Sequence, residues 1–477
     1  MRWFIVAVLL AGCVLPVSEL QKAGEMQGVI LDDGARFSLV AAPVKNELAG
    51  VSLEMFAYNG QVPGPILRVR QNSTITVNFT NNLPMESTVH WHGLRLENKY
   101  DGVPDVTQGA VQPGKSFEYK LTFPDYGLYW YHPHTREDLQ QEKGLAGVIL
   151  VEPIEKAFVP AKEEVLVLDD VLITEGGLEF GERVDHALMG RFGNVMLVNG
   201  KANYSLNVKT GERVRFFIVD VANTRLFNFS IEGARLKVVG ADSELYQDEF
   251  FAPAVVLAPG ERVIVEAVFE RPGVYRLMHK HPHAAYVLGE VIVSGEEVKV
   301  TDSARKNKWA YDVSEYVNRA PDFAFELDVD MQMMGGMNHA MMGHGAGRVE
   351  PIEWEDTMQM MNAHSTDKNT RWIIREVASG RENMDISLTA KVGDVKMLRF
   401  TNLKDSAHPM QHPIHLHGQR FLVLGEKNSV WKDTVIVPAG ESVDVLVEFT
   451  NPGKWMMHCH IAEHLHAGMM AMFDVSA

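Results

Sequence analysis

The chain has 477 residues, 46% hydrophobic and 22% charged, an ordinary globular composition that excludes a disordered chain. Forty-five basic against 62 acidic residues leave a net charge of -17, the wrong sign for a nucleic-acid footprint, and a mean hydropathy of -0.09 argues against a polytopic membrane protein. Two cysteines cannot build a disulfide framework, so each needs its own explanation, as do the 24 methionines and 19 histidines.

Residues 1–25 read as a leader and linker. Arg2, the apolar run Trp3 to Leu10 and the segment Leu10-Ala11-Gly12-Cys13 resemble a bacterial lipoprotein signal, in which the cysteine is acylated and becomes the mature N-terminus. Eight apolar residues are too few to span about 30 Å of hydrocarbon, which argues against a permanent transmembrane helix. Lipidation of Cys13 and a plain cleaved signal with an incidental cysteine both fit. Either predicts an exported protein, periplasmic or at the cell surface.

From residue 26 onward the pattern is all-β. Alternating runs such as Thr74 to Phe79 and Ser116 to Leu121 are separated by Pro-Gly and Asn-Gly turns, and no long 3.6-period segment appears. A repeat organises the chain. Gly114, Gly260 and Gly440 are each followed 13 residues later by another glycine, at 127, 273 and 453. Each copy then enters a histidine-bearing strand, at Tyr129 to His132, Tyr275 to His279 and Trp455 to His458. The copies predict β-sandwich domains over 26–155, 156–300 and 301–477. The last spacing is 34 residues longer than the first, and an insert at about 331–364, rich in Met and Gly, accounts for the excess.

Four histidine segments carry chemistry: His90-Trp91-His92, His132-Pro133-His134, His412-Pro413-Ile414-His415-Leu416-His417, and His458-Cys459-His460 with Glu463 and His464 following. On a strand, residues i and i+2 share a face about 6.6 Å apart, so each His-x-His directs two imidazoles one way. Cys459 points to the opposite face from its neighbours. With His412, His464 and a following Met469 it makes the His₂Cys set with weak axial Met of a blue-copper site.

These segments resemble, in order, the four copper-ligand motifs of the multicopper oxidases, a family that includes laccases, ferroxidases and cuprous oxidases. The resemblance implies three cupredoxin-like Greek-key domains and four copper ions. It implies a type 1 copper on His412, Cys459, His464 and Met469 and a type 2 copper on His90 and His415. His92, His132, His134, His417, His458 and His460 would hold a type 3 pair. Four one-electron oxidations would then reduce one O2 to two waters. In the middle copy Ser230 and Glu232 stand where the others have histidine, so the cluster should form between the first and last domains. His279, His281 and His283 are either an auxiliary metal site or a solvated strand end. Asp101 matches the family's acidic residue beside the type 2 site. Leu465 occupies the place of its usual second carboxylate, leaving Glu463 as the neighbouring candidate proton donor.

Nine methionines (331, 333, 334, 337, 341, 342, 358, 360 and 361), with Glu353, Glu355 and Asp356 among them, suggest a segment that collects Cu(I), because thioethers favour that soft ion. Cuprous oxidases often carry an Asp and a Met before the third motif; here those places are His408 and Met410. With Met358, Met360 and Met361 these form a candidate substrate-copper site. A flexible loop limiting access to the type 1 site is the alternative for the insert. The expected function is oxidation of Cu(I), or of Fe(II), in copper tolerance. A laccase-like oxidase of phenols or of a respiratory donor is the second expectation. A non-catalytic copper carrier is the third, disfavoured because a carrier needs no eight-histidine cluster.

Overall fold

The computed structural model describes residues 16–154, 158–296, 319–331, 350–424 and 430–477, together with positions 298, 313, 315 and 316. Cys13 and the methionines at 333, 334, 337, 341 and 342 lie outside the described residues. Six β-sheets pair into three sandwiches in chain order. In each, an early strand lies parallel to a later one of the same sheet: Arg36–Leu48 beside Thr74–Asn81, Lys162–Val171 beside Arg213–Asp220, and Phe323–Met331 beside Val395–Asn402. The repeat extends to backbone angles. Gly127, Gly273 and Gly453 have φ of 147°, 147° and 143°, values that L side chains rarely adopt.

Period-two patterning makes the outer strands. Thr74–Asn81 alternates buried and less buried positions and pairs antiparallel with Lys115–Thr122, the two strands expected from alternation. The histidine-bearing strands are different, because Gly127–His132 and His412–Leu416 are buried at every position. They face neighbouring sandwiches on the side that would otherwise meet water.

Each sandwich has its own apolar core, around Phe79 and Trp91, Phe216 and Phe229, and Trp372 and Trp455 respectively. A further cluster joins Leu128, Trp130 and Val148 of the first unit to Val167, Phe217 and Ile264 of the second, so the units are cemented by apolar area. Helices among the described residues are short, and none is long and apolar enough to cross a membrane.

Candidate metal centre

Register brings the motifs together. His90 lies opposite His132 on neighbouring strands of the first unit, and His415 opposite His458 in the last. The faces of the two units meet so that His90, His92 and His415 have ligand nitrogens within 4.8 Å of one another. The same limit holds for His92, His132 and His460, and again for His134, His417 and His458. All eight imidazoles are buried.

The imidazole hydrogen bonds point to a metal. The Nδ1–H groups of His90, His132, His415 and His458 find the carbonyl oxygens of Asp101, Pro133, Asp433 and Cys459 at 2.8, 2.8, 2.9 and 2.8 Å. That of His417 finds Asp101 Oδ2 at 2.9 Å. A ring that donates from Nδ1 keeps a lone pair on Nε2. The Nε2 atoms of His90, His132, His134 and His415 are buried without a hydrogen-bond partner, as are both nitrogens of His460. Those of His417 and His458 face each other at 3.0 Å, lone pair to lone pair, which a cation between them relieves. Burial holds His92, His132, His417, His458 and His460 well below the usual imidazole range, so they are neutral and ready to ligate. The donor set therefore fits metal ions bound by nitrogen.

Cys459 projects to the other side of its strand. Its Sγ lies 3.6 Å from His412 Nδ1 and 3.8 Å from His464 Nδ1. Burial pushes the Cys459 thiol up and His412 down to about 3, so a thiolate with two neutral imidazoles requires a cation at their centre. Met469 is buried in the same core, and its backbone bonds to Cys459 and His464 hold it beside them. Trp372 covers the group: its ring stacks on His464 at 4.1 Å, and its indole N–H donates to the Ala187 carbonyl at 2.7 Å.

Asp101 lies 2.9 Å from His417 Nδ1 and 3.3 Å from His90 Nδ1. The Glu463 carboxylate points elsewhere, accepting hydrogen bonds from Asn223 Nδ2 and Thr224 Oγ1 of the middle unit, both at 3.1 Å. Glu137 takes a position that motif reading did not find. Its Oε1 lies 2.9 Å from His134 Nδ1, and His466 pairs with it from the other side. Burial alone would raise Glu137, but His134 and His466 hold it well below the carboxylate range; burial would lower His466, but Glu137 and Asp138 lift it to about 9. The i, i+3 spacing from His134 on a turn entering the short helix Glu137–Gln140 was the available signal. Asp433, which touches both His92 and His415, left no local signal at all.

The candidate substrate site falls into two environments. Met410 is sealed in the last unit's core, and His408 is buried beside Trp372. Met358 is packed against that core, whereas Met360 is 82% and Met361 41% exposed. In the middle unit Ser230 pairs with Met278, and Glu232 binds Lys280 at the surface, so neither approaches the cluster. The strand end is solvated only in part: His279 and His281 are buried, with His281 stacked on Trp354 at 5.7 Å, whereas His283 is exposed. His279 Nδ1 accepts the Asn228 N–H at 3.0 Å, which places its proton on Nε2 and removes the inward lone pair that a metal needs.

Comparison with known proteins agrees with this geometry. Three family models, each described as multicopper oxidase, match residues 42–156, 130–290 and 352–477. A multicopper oxidase of Mycobacterium tuberculosis is 28% identical over 473 residues, covering 92% of this chain and 86% of its own. The crystal structure of a multicopper oxidase from Pseudomonas thermotolerans superposes with a TM-score of 0.72 at 26% identity, over 94% of this chain and all of that one. One from Campylobacter jejuni, titled a metallo-oxidase, shares the fold with a TM-score of 0.73 at 24% identity, over 96% and 98% of the two chains. The chain belongs to the multicopper oxidase family: it is a copper-dependent oxidoreductase that uses oxygen as electron acceptor.

Proposed function

We propose that the chain is a metallo-oxidase of Cu(I), with Fe(II) as a second metal substrate, serving copper tolerance outside the cytoplasm and anchored there through an acylated Cys13. In this proposal His412, Cys459, His464 and Met469 hold the type 1 copper. His90 and His415 hold the type 2 copper, and the remaining six histidines hold the type 3 pair. Copper bound there supplies one-electron chemistry at the thiolate and four-electron reduction of O2 at the cluster.

The protein's own part is connection, exclusion and proton supply. Cys459 lies between His458 and His460 in the chain, so the thiolate joins two cluster imidazoles through a few covalent bonds. Burial keeps water from the rings. Asp101, on His417 and His90, is placed to hold a proton beside the cluster, and Glu137 lines its other flank through His134.

One observation carries the choice of substrate: the cover over His464. Trp372, stacked on His464, is tied to the Ala187 carbonyl, and the following segment 188–190 is pinned by Asn362 and Ser365, in and just after the helix Gln359–His364. No ligand edge is offered to a bulky phenol. The outer face of that helix instead carries Met360 and Met361, thioethers suited to a soft ion. A second reading, oxidation of an organic donor, is favoured by a cavity of about 770 Å³ lined by Met196, Tyr286, Glu355, Asp356 and Gln359. Oxygen uptake with Cu(I), Fe(II) and a phenol separates the two. Replacing Met358, Met360 and Met361 by Leu should cut Cu(I) turnover and leave phenol turnover alone; equal Cu(I) turnover overturns the metal-substrate proposal.

A further inference from the structure

Among its described residues the middle unit supplies no cluster histidine, yet its backbone lies against the cluster. A Cβ added to Gly260 would sit 3.0 Å from His460 and 3.1 Å from His92. Two residues on, Arg262 opens the strand Arg262–Val268 and sends a fully buried guanidinium between all three units. Its Nη1 and Nη2 donate to the two oxygens of Asp433 in the last unit, both at 2.6 Å. Its Nε donates to the Leu128 carbonyl of the first unit at 2.9 Å, and Nη1 also to its own Gly260 carbonyl at 3.1 Å. Asp242 of the middle unit receives the Asp433 amide at 3.2 Å, so Asp433 is held at backbone and side chain alike. Gly93 leaves the space: a Cβ there would lie 2.5 Å from Asp433 Oδ2 and 2.8 Å from Arg262 Nη2.

Asp433 in turn fixes the His92 ring by its side chain, and its carbonyl meets His415 Nδ1 at 2.9 Å. Its Oδ1 lies 3.0 Å from His92 Nε2, and a carboxylate only accepts, so Nε2 carries the proton. His92 is therefore reversed relative to His90, His132 and His415: its unpartnered nitrogen is Nδ1, and the ring belongs to the group it forms with His132 and His460. The His415 ring stacks on His92 at 3.8 Å and shares Thr434 with it.

We propose that Arg262 is a positioning residue of the oxygen-reducing site: by gripping Asp433 with a planar fork it sets the His92 tautomer and keeps the first and last units in register around the cluster. The middle unit, having lost its own ligands, thereby keeps a role in a site built by the other two. The proposal rests on the assignment of the eight histidines to three copper ions and is independent of the reductant.

The test uses the full chain loaded with copper, measuring copper per chain, the visible thiolate-to-copper band of Cys459 and the electron paramagnetic resonance of the cluster. Arg262→Gln should leave that band at its wild-type intensity, while the copper needed to half-fill the cluster rises about 10- to 100-fold, the usual effect of losing a group that orients a ligand. Arg262→Lys should recover part of that loss, because an ammonium cannot fork onto both oxygens. Asp433→Asn keeps the shape and carries the test should Arg262→Gln not fold; a carboxamide can donate to Nε2, reverse the tautomer and produce the same selective loss. Arg225→Gln, which breaks a buried ion pair with Asp170, serves as control: it should lower stability without changing cluster filling.

Wild-type filling in Asp433→Asn or Arg262→Gln overturns the proposal. So does loss of band and cluster copper in equal measure, which is structural damage alone. If the wild-type chain shows the band but takes up no further copper, the eight-histidine assignment itself falls, and the proposal with it.

Discussion

Asn362 offers a direct test of the cover over the thiolate site. It is fully buried. Its Oδ1 accepts the Met189 N–H at 2.9 Å, and its Nδ2 donates to the Gly190 carbonyl and to Asp356, both at 2.8 Å. Asn362→Ala leaves the Met189 N–H and the Gly190 carbonyl unpaired in a dry place. Each costs about 1–3 kcal/mol if the segment stays closed, about 2–6 kcal/mol together. Opening the segment restores water to both groups, so the substitution shifts the balance toward opening by up to that amount. Even 2 kcal/mol raises the open population about 30-fold, with 1.4 kcal/mol per factor of ten. Because Trp372, which stacks on His464, donates to the Ala187 carbonyl at the start of this segment, opening loosens the cover over that ring. Amide hydrogen exchange at Leu188 and Met189 should therefore speed up about 30-fold or more, and kcat/KM for a phenol should rise relative to that for Cu(I). Wild-type exchange together with an unchanged phenol-to-Cu(I) ratio would refute the idea that this segment controls access.

Three further outcomes are expected. Cys459→Ser should abolish the thiolate-to-copper visible band; a band that survives removes Cys459 from that site. Stripping copper leaves the Nε2 lone pairs of His417 and His458 opposed at 3.0 Å, so the apo-protein should melt lower and recover on copper titration in proportion to ligand occupancy; identical melting of both forms contradicts the fit. Burial raises Glu142 from 4.5 to about 8, so the folded chain holds this proton where the unfolded chain releases it. Its contribution is complete below pH 4.5 and is lost as pH rises toward 8. Glu142→Gln, which keeps an acceptor for the Leu172 N–H, should flatten the fall in unfolding free energy between pH 5 and 8, and an unchanged slope counts against it.

Motif reading and structure part company at identifiable places. The eight cluster histidines and the His412, Cys459, His464 group were legible because a strand has a period of two. His-x-His alternation, with a cysteine between, declares which side chains share a face before any fold is known. The same local rule left His279, His281 and His283 open between a metal site and a solvated strand end, because the surroundings of the first two, the Asn228 amide on His279 and Trp354 stacked on His281, come from distant segments. It also pointed to Glu463 as the neighbouring acid, although that carboxylate turns to Asn223 and Thr224 while Glu137 reaches His134.

The sequence by itself determined the repeat, the strand pattern and the donor types, since these depend on glycine placement, alternation and side-chain chemistry within a few residues. Only the tertiary structure decided what holds those donors. His92 and Asp433 are 341 residues apart, Arg262 and Asp433 are 171 apart, and Trp372 covers a ligand it does not neighbour in the chain. Such contacts arise where separate sandwiches close on one another, and closure is set by summed packing of whole faces, which no short stretch of residues encodes.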